Sequence, residues 1–362
     1  MVIPPVARLP LLFLGMVALV AGVLAGLARF AVAVPEVAAA QAGAHGALMI
    51  AAFLGTVISL ERAVALASAG RHWPYLAPLA AGLGGVALLA GLPVLLAQAL
   101  FVAAGLLLAV GSSLLCLGQR AVHLVTLALG ALCWLAGNLV WAVGGALPAA
   151  VPWWMAFLVL TIAGERLELT RFLPPSAGAR AVFVALVAAL LAALVAGFWS
   201  AELALRLCAA VLLALALWLL RQDIARRTVR QTGLTRYIAV CLLAGYGWLV
   251  VGGLLGLLGG FAPGSALRDA ALHAVFLGFV FSMIFGHAPI IFPAVAKVKI
   301  PYHPAFYLPL ALLHASLLAR VAGGLAGNAP LASAAAVANA VALLLFILTL
   351  LTRVLGARKD AA

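Results

Sequence analysis

Acidic residues are scarce in this chain. Asp and Glu number 8 against 21 Lys and Arg in 362 residues, and charged residues of both signs make up only 8%. That is too few to solvate a globular surface, where about a quarter of residues are usually charged. Cysteine is scarce too. Cys116, Cys133, Cys208 and Cys241 lie singly inside apolar runs with no C-x-x-C among them. Neither a disulfide framework nor a zinc site is indicated, and the four read as small packing residues. Also missing is any ten-residue alternation of apolar and polar side chains, which excludes a transmembrane barrel. The surplus of base is not gathered with aromatics into a groove, so nucleic acid is not an expected partner.

What fills the chain is apolar: 68% hydrophobic, with a mean hydropathy of +1.29. In lipid every backbone polar group must be bonded internally, so such a chain folds as membrane-crossing helices. The apolar runs predict twelve spans, near 11–33, 42–67, 75–91, 95–116, 123–146, 153–172, 180–198, 203–220, 237–259, 269–295, 305–324 and 332–353. They form one integral membrane domain over 1–362, all-α, with the lipid bilayer as its solvent. The third and fourth spans are parted only by GLPVL (91–95). Segment 11–33 is longer than the roughly 7–15 residues of a signal-peptide core and reads as a span.

The positive-inside rule orients the spans. With both termini cytoplasmic, Arg71, Arg120, Arg171, Arg180, Lys297, Lys299, Arg358 and Lys359 fall on the inside. So does the largest loop, RQDIARRTVRQTGLTR (221–236). The outer loops hold Arg268 beside Asp269, and Glu36 and Glu202. Losing one internal span would put the later basic loops outside. A bacterial-type inner membrane is the expected location.

Polar side chains within a bilayer cost about 2.5–3.5 kcal/mol per charge on insertion scales, so each needs a reason. His45 sits about one turn below the outer edge of span two, and His273 one to two turns below that of span ten. Two imidazoles at one depth on different helices are what bis-histidine ligation of a haem requires. Two unrelated histidines bonded to backbone carbonyls would look the same in sequence. His287 lies about 21 Å further in and roughly 40° from the phase of His273 on a regular helix. It is a metal ligand, a packing residue, or a partner of Glu61. Pro289 and Pro293 are expected to break the helix beside it. Glu61–Arg62 on span two, Glu165–Arg166 and Glu168 on span six, and His123 at the inner start of span five reach similar depth. They read as ion pairs near the inner interface, or as a proton relay or second site. His314 sits near the middle of span eleven. Arg320, two turns further out, either reaches the outer interface or meets an anion such as a haem propionate. Trp153, Trp154 and Trp199 fit an interfacial belt.

AHGALMI (44–50) resembles the second helix of haem-copper oxidase large subunits, where H-G-x-x-M carries a low-spin haem ligand. The partner histidine of that family comes from the tenth helix, as His273 does here. HAVFLGFVFSMIFGHAPII (273–291) is similar to the late histidine-bearing helix of the NnrS family, haem- and copper-containing membrane proteins linked to nitric oxide stress. These resemblances cover two helices and the topology, about a seventh of the chain. They imply haem b with His45 and His273 as axial ligands near the outer face, and a role in nitric oxide response or respiratory redox chemistry with a redox partner. The chain departs from both patterns. Spans six and seven carry no histidine for copper, and the tenth has no close second histidine for a reactive haem. Ala44 and Gly43 stand where NnrS proteins have paired histidines, which counts against copper. The rival expectations are a secondary transporter or proton pathway around His287, Glu61 and Glu165, and a scaffold for respiratory complexes.

Overall fold

The computed structural model describes residues 4–67, 70–144, 146–169 and 175–359; among them there are helices, turns and links but no strand. The apolar runs become α1 (Pro5–Ala28), α2 (Ala47–Ala67), α3 (Leu76–Leu89), α4 (Val94–Gly118), α5 (Val122–Gly144) and α6 (Leu147–Leu169). They continue as α7 (Ala177–Ala196), α8 (Ala201–Gln222), α9 (Gly233–Gly260), α10 (Arg268–Ala296), α11 (Pro304–Leu325) and α12 (Ala329–Lys359). Eleven of these are long and apolar enough to cross a bilayer. The chain is a polytopic all-α membrane protein.

The twelfth run, α3, has 14 residues. At 1.5 Å per residue it spans about 21 Å, short of a hydrocarbon core of about 30 Å. Gly91, at φ 65°, turns the chain directly into α4. The first helix stops at Ala28, five residues before its predicted end, because Ala31 takes φ 56° and Pro35 follows. Arg171 and the predicted end of span six lie outside the described residues.

The helices sort into two compact units, Met1–Glu165 with Ala294–Lys297, and Arg166–Pro293 with Val298–Ala362. Lipid gives apolar helices little hydrophobic reason to associate, so close packing and interhelical hydrogen bonds hold each unit. In the first unit α4 packs along α5, α3 against α4, and α1 against the opening half of α2. The rings of Trp134 and Phe157 stack with centroids 5.2 Å apart. Asn138, fully buried, donates from Nδ2 to the Phe101 carbonyl (2.8 Å) and accepts from Trp154 Nε1 (2.9 Å). Trp154 is therefore a core residue and not part of an interfacial belt, whereas Trp199 is exposed as the belt requires.

In the second unit α7 packs on α8, α8 on α9, α9 on the opening half of α10, and α11 on α12. Phe285 and Phe346 stack nearly parallel at 3.8 Å. Helix α10 does not break at its prolines. It runs through Pro289 and Pro293 to Ala296. In the first unit, buried Arg8 donates to the Val295 carbonyl at 3.2 Å, supplying a donor at the helix end, and Lys297 then turns away at φ 55°.

Candidate functional site

Three of the described helices widen from α to π-type turns: α9 does so over Gly256–Gly260, away from any histidine, and two others do so just past a histidine. In α2 the wide turns cover Ala47–Leu54, just past His45; in α10 they cover Ala274–Val280, just past His273. Such insertions into an α-helix are frequent at functional sites. They also undo the regular-helix arithmetic for His287, since the phase of α10 is not that of an ideal helix between the two imidazoles.

The seat of His45 is on α1. Its Nδ1 lies 2.7 Å from the Gly22 carbonyl. A carbonyl can only accept, so Nδ1 carries the proton and Nε2 the lone pair. The ring lies against Gly26, where an added Cβ would come within 2.7 Å of its Cε1. At Gly22 the same substitution would meet Met49 Sδ at 2.7 Å. The G-x-x-x-G of α1 therefore seats His45, just before α2, and Met49 within it.

His273 belongs to a charged group in the second unit. Its Nδ1–H faces the Asp269 carbonyl one turn back (2.8 Å) and the Asp269 carboxylate (3.1 Å). Its Nε2 accepts from Arg320 Nη2 at 3.2 Å. Arg320, buried on α11, grips Asp269 with Nε and Nη2, both at 2.8 Å. Nearby on that face the Asn339 amide lies 2.6 Å from the Ser316 hydroxyl.

At the other end of α10 the arrangement recurs. His287 Nδ1–H faces the Met283 carbonyl at 2.7 Å, and Nε2 lies 3.4 Å from Arg166 Nη1. Arg166 grips Asp223, just past α8, with Nε at 2.8 Å and Nη2 at 3.0 Å. Asp223 also accepts from the Tyr246 hydroxyl (2.6 Å) and the Ala225 N–H (2.7 Å). Arg166 and Asp223 are both 5% exposed or less. Burial alone would push the Asp223 carboxyl up. Donation from Arg166, Tyr246 and the Ala225 amide outweighs it and holds the group below the ordinary carboxylate value.

The remaining predicted residues are dispersed. Glu165 pairs with Arg62 at 2.7 Å within the first unit, the structural reading of that acid. Glu61 is half-buried beside Arg62 on α2. His123 opens α5, with its carbonyl facing Gly164 of α6. His314 takes the opposite tautomer from the other three. Trp248 Nε1 can only donate and does so to His314 Nδ1 at 2.9 Å, which leaves the proton on Nε2. Asp223, Asp269, Tyr246 and Trp248 were not singled out from sequence as site residues. The spacing Asp269-x-x-x-His273 was readable, since residues four apart share a helix face. Asp223 was visible only as the one acid among the arginines of its loop.

A haem needs an imidazole with Nε2 available and Nδ1 held by an acceptor. His45 has the tautomer this needs, with Nδ1–H held by the Gly22 carbonyl. His273 has the right tautomer, but the Arg320 guanidinium faces its Nε2. Arg320 already gives Nε and Nη2 to Asp269, so a propionate would have to share the guanidinium with that carboxylate. For copper, no three His, Cys, Asp or Glu side chains among the described residues gather closely enough to hold a metal ion.

Fold and site together define a polytopic helical membrane protein with carboxylate–guanidinium–imidazole groups built into its spans. Residues 8–355 match the family described as Domain of unknown function (DUF8744), and the chain belongs to that family. No curated protein and no solved structure matches it.

Proposed function

We propose that this is a haem-b-binding protein of a bacterial-type inner membrane, acting in nitric oxide response or respiratory redox chemistry. His45 and His273 would hold the haem iron through their imidazoles. The observation that carries this reading is the posture of His45: Nδ1–H held by the Gly22 carbonyl, the ring seated on Gly26, and the lone pair on Nε2. A carbonyl on Nδ1–H makes Nε2 a better donor and fixes the ring plane. Asp269 does the same for His273 through its carbonyl and carboxylate. Ligation there requires the 3.2 Å contact between His273 Nε2 and Arg320 to break. The grip of Asp269 keeps the guanidinium close by, where it disfavours ligation and makes His273 the weaker ligand. A bound haem supplies one-electron chemistry and, where an axial place is open, a position for nitric oxide. The test is haem quantitation by the pyridine haemochrome method on protein purified after haem-replete expression. About one haem b per chain in the wild type, and loss of it in His45→Ala with folding intact, supports the assignment. A colourless wild-type protein ends it.

A second reading draws on the other end of α10. Tyr246, Asp223, Arg166 and His287 form a run of hydrogen-bonded groups. Carboxylates and imidazoles within spans mark proton pathways; Arg166 keeps its proton and would position Asp223 and His287 beside such a path. It predicts proton flux in proteoliposomes that collapses in His287→Gln, in a preparation without pigment.

A further inference from the structure

Between the start of α9 and the start of α11 lies a cavity of about 330 Å³, lined by Thr232, Gly233, Arg236, Val240, Tyr302 and Tyr307. All six belong to the second unit. We propose that this cavity binds the phosphodiester headgroup of an anionic phospholipid.

Three features carry the assignment. The first is the polar lining. Arg236 offers a planar fork of N–H donors suited to phosphate oxygens, and the tyrosines offer hydroxyls that donate to the same oxygens. The Thr232 side chain does not cap α9, so the amides of its first turn remain available to the same anion. The second is position. Gly233 and Pro304 are the first residues of two membrane-crossing helices, so the cavity lies where spans meet the bilayer surface. Val240 and the ring faces of Tyr302 and Tyr307 give it an apolar side, which suits glycerol and the start of the acyl chains. A soluble phosphate would leave that side unfilled.

The third is charge. The stretch 221–236 carries Arg221, Arg226, Arg227, Arg230 and Arg236 against the single acid Asp223, and Asp223 is buried and bound to Arg166. The loop therefore presents positive charge alone at the membrane surface. Each such residue attracts anionic lipid by about 1 kcal/mol.

The experiment uses the full chain in detergent micelles, with lipid retention read by native mass spectrometry. Phosphatidylglycerol, phosphatidylcholine and inorganic phosphate are added separately. Wild-type protein should retain phosphatidylglycerol and not phosphatidylcholine, and inorganic phosphate should not displace it. Arg236→Gln should lower retention about fivefold. Tyr302→Phe combined with Tyr307→Phe should also lower it, and provides the test should Arg236→Gln fail to fold. Arg230→Gln, at an exposed position of the same loop outside the cavity, should lower retention by clearly less than Arg236→Gln does. Equal retention by Arg236→Gln or by the double tyrosine variant, equal retention of phosphatidylcholine, or displacement by inorganic phosphate would overturn the proposal. An equal loss in Arg230→Gln would reduce it to diffuse charge attraction and overturn it too.

Discussion

Asp223→Asn removes the counter-charge of a buried arginine without changing the shape of the side chain. The native carboxylate accepts from Arg166 Nε and Nη2, the Tyr246 hydroxyl and the Ala225 amide, at 2.6–3.0 Å. An amide presents one acceptor oxygen and two N–H groups, so at least one former donor then faces a donor. Arg166, 5% exposed, is left as an uncompensated charge. Breaking one side of a buried pair in this way costs about 3–5 kcal/mol. In a chain of this size that lowers the unfolding midpoint by on the order of 5–10 °C. The assay is thermal unfolding of purified protein in detergent, followed by tryptophan fluorescence. Because a buried pair can often be exchanged for apolar residues at little cost, Asp223→Asn with Arg166→Met should recover much of the loss. The pH dependence has a definite sign. The folded Asp223 carboxyl titrates below its ordinary value of 3.8. Its contribution is complete above that value and disappears as pH falls through the lower folded value. The wild-type midpoint should therefore drop below about pH 4, and Asp223→Asn should lack that component. A variant as stable as the wild type at neutral pH would refute the reasoning.

The outer group gives an asymmetry. Asp269 has a side chain 42% exposed while Arg320 is 8% exposed, so stranding the arginine costs more than stranding the acid. Asp269→Asn should cost about 3 kcal/mol and Arg320→Met about 1–2 kcal/mol by the same unfolding assay; the reverse order would contradict the geometry. Gly26→Val should cut haem content at least as severely as it affects the midpoint, because the new side chain takes the volume of the His45 ring. Normal haem in that variant would mean His45 is not the ligand. Trp248→Phe strips His314 Nδ1 of its donor and should cost about 1 kcal/mol, leaving haem content unchanged.

The membrane class was legible because spans follow from run length and hydropathy, which are local. Helix ends were less so. Ala31 and Gly91 turn the chain at positive φ where the sequence is still apolar, so the first and third runs came out shorter than their hydropathy predicted. The site was half legible. His45, His273 and His287 stand out because a polar residue in a span is costly. Their partners do not, because Asp223 and Asp269 sit at span ends where an acid costs little and carries no signal of its own. The G-x-x-x-G of α1 occurs among 36 glycines and gained meaning only when Gly22 and Gly26 were found against one imidazole.

The decisive measurement is the visible absorption spectrum of the purified protein, ferric and dithionite-reduced, for wild type, His45→Ala and His273→Ala. The account predicts a Soret band with resolved α and β bands on reduction. The bands should be lost in His45→Ala and shifted toward a high-spin spectrum in His273→Ala. A wild-type spectrum without a Soret band, or one that neither substitution changes, would contradict it.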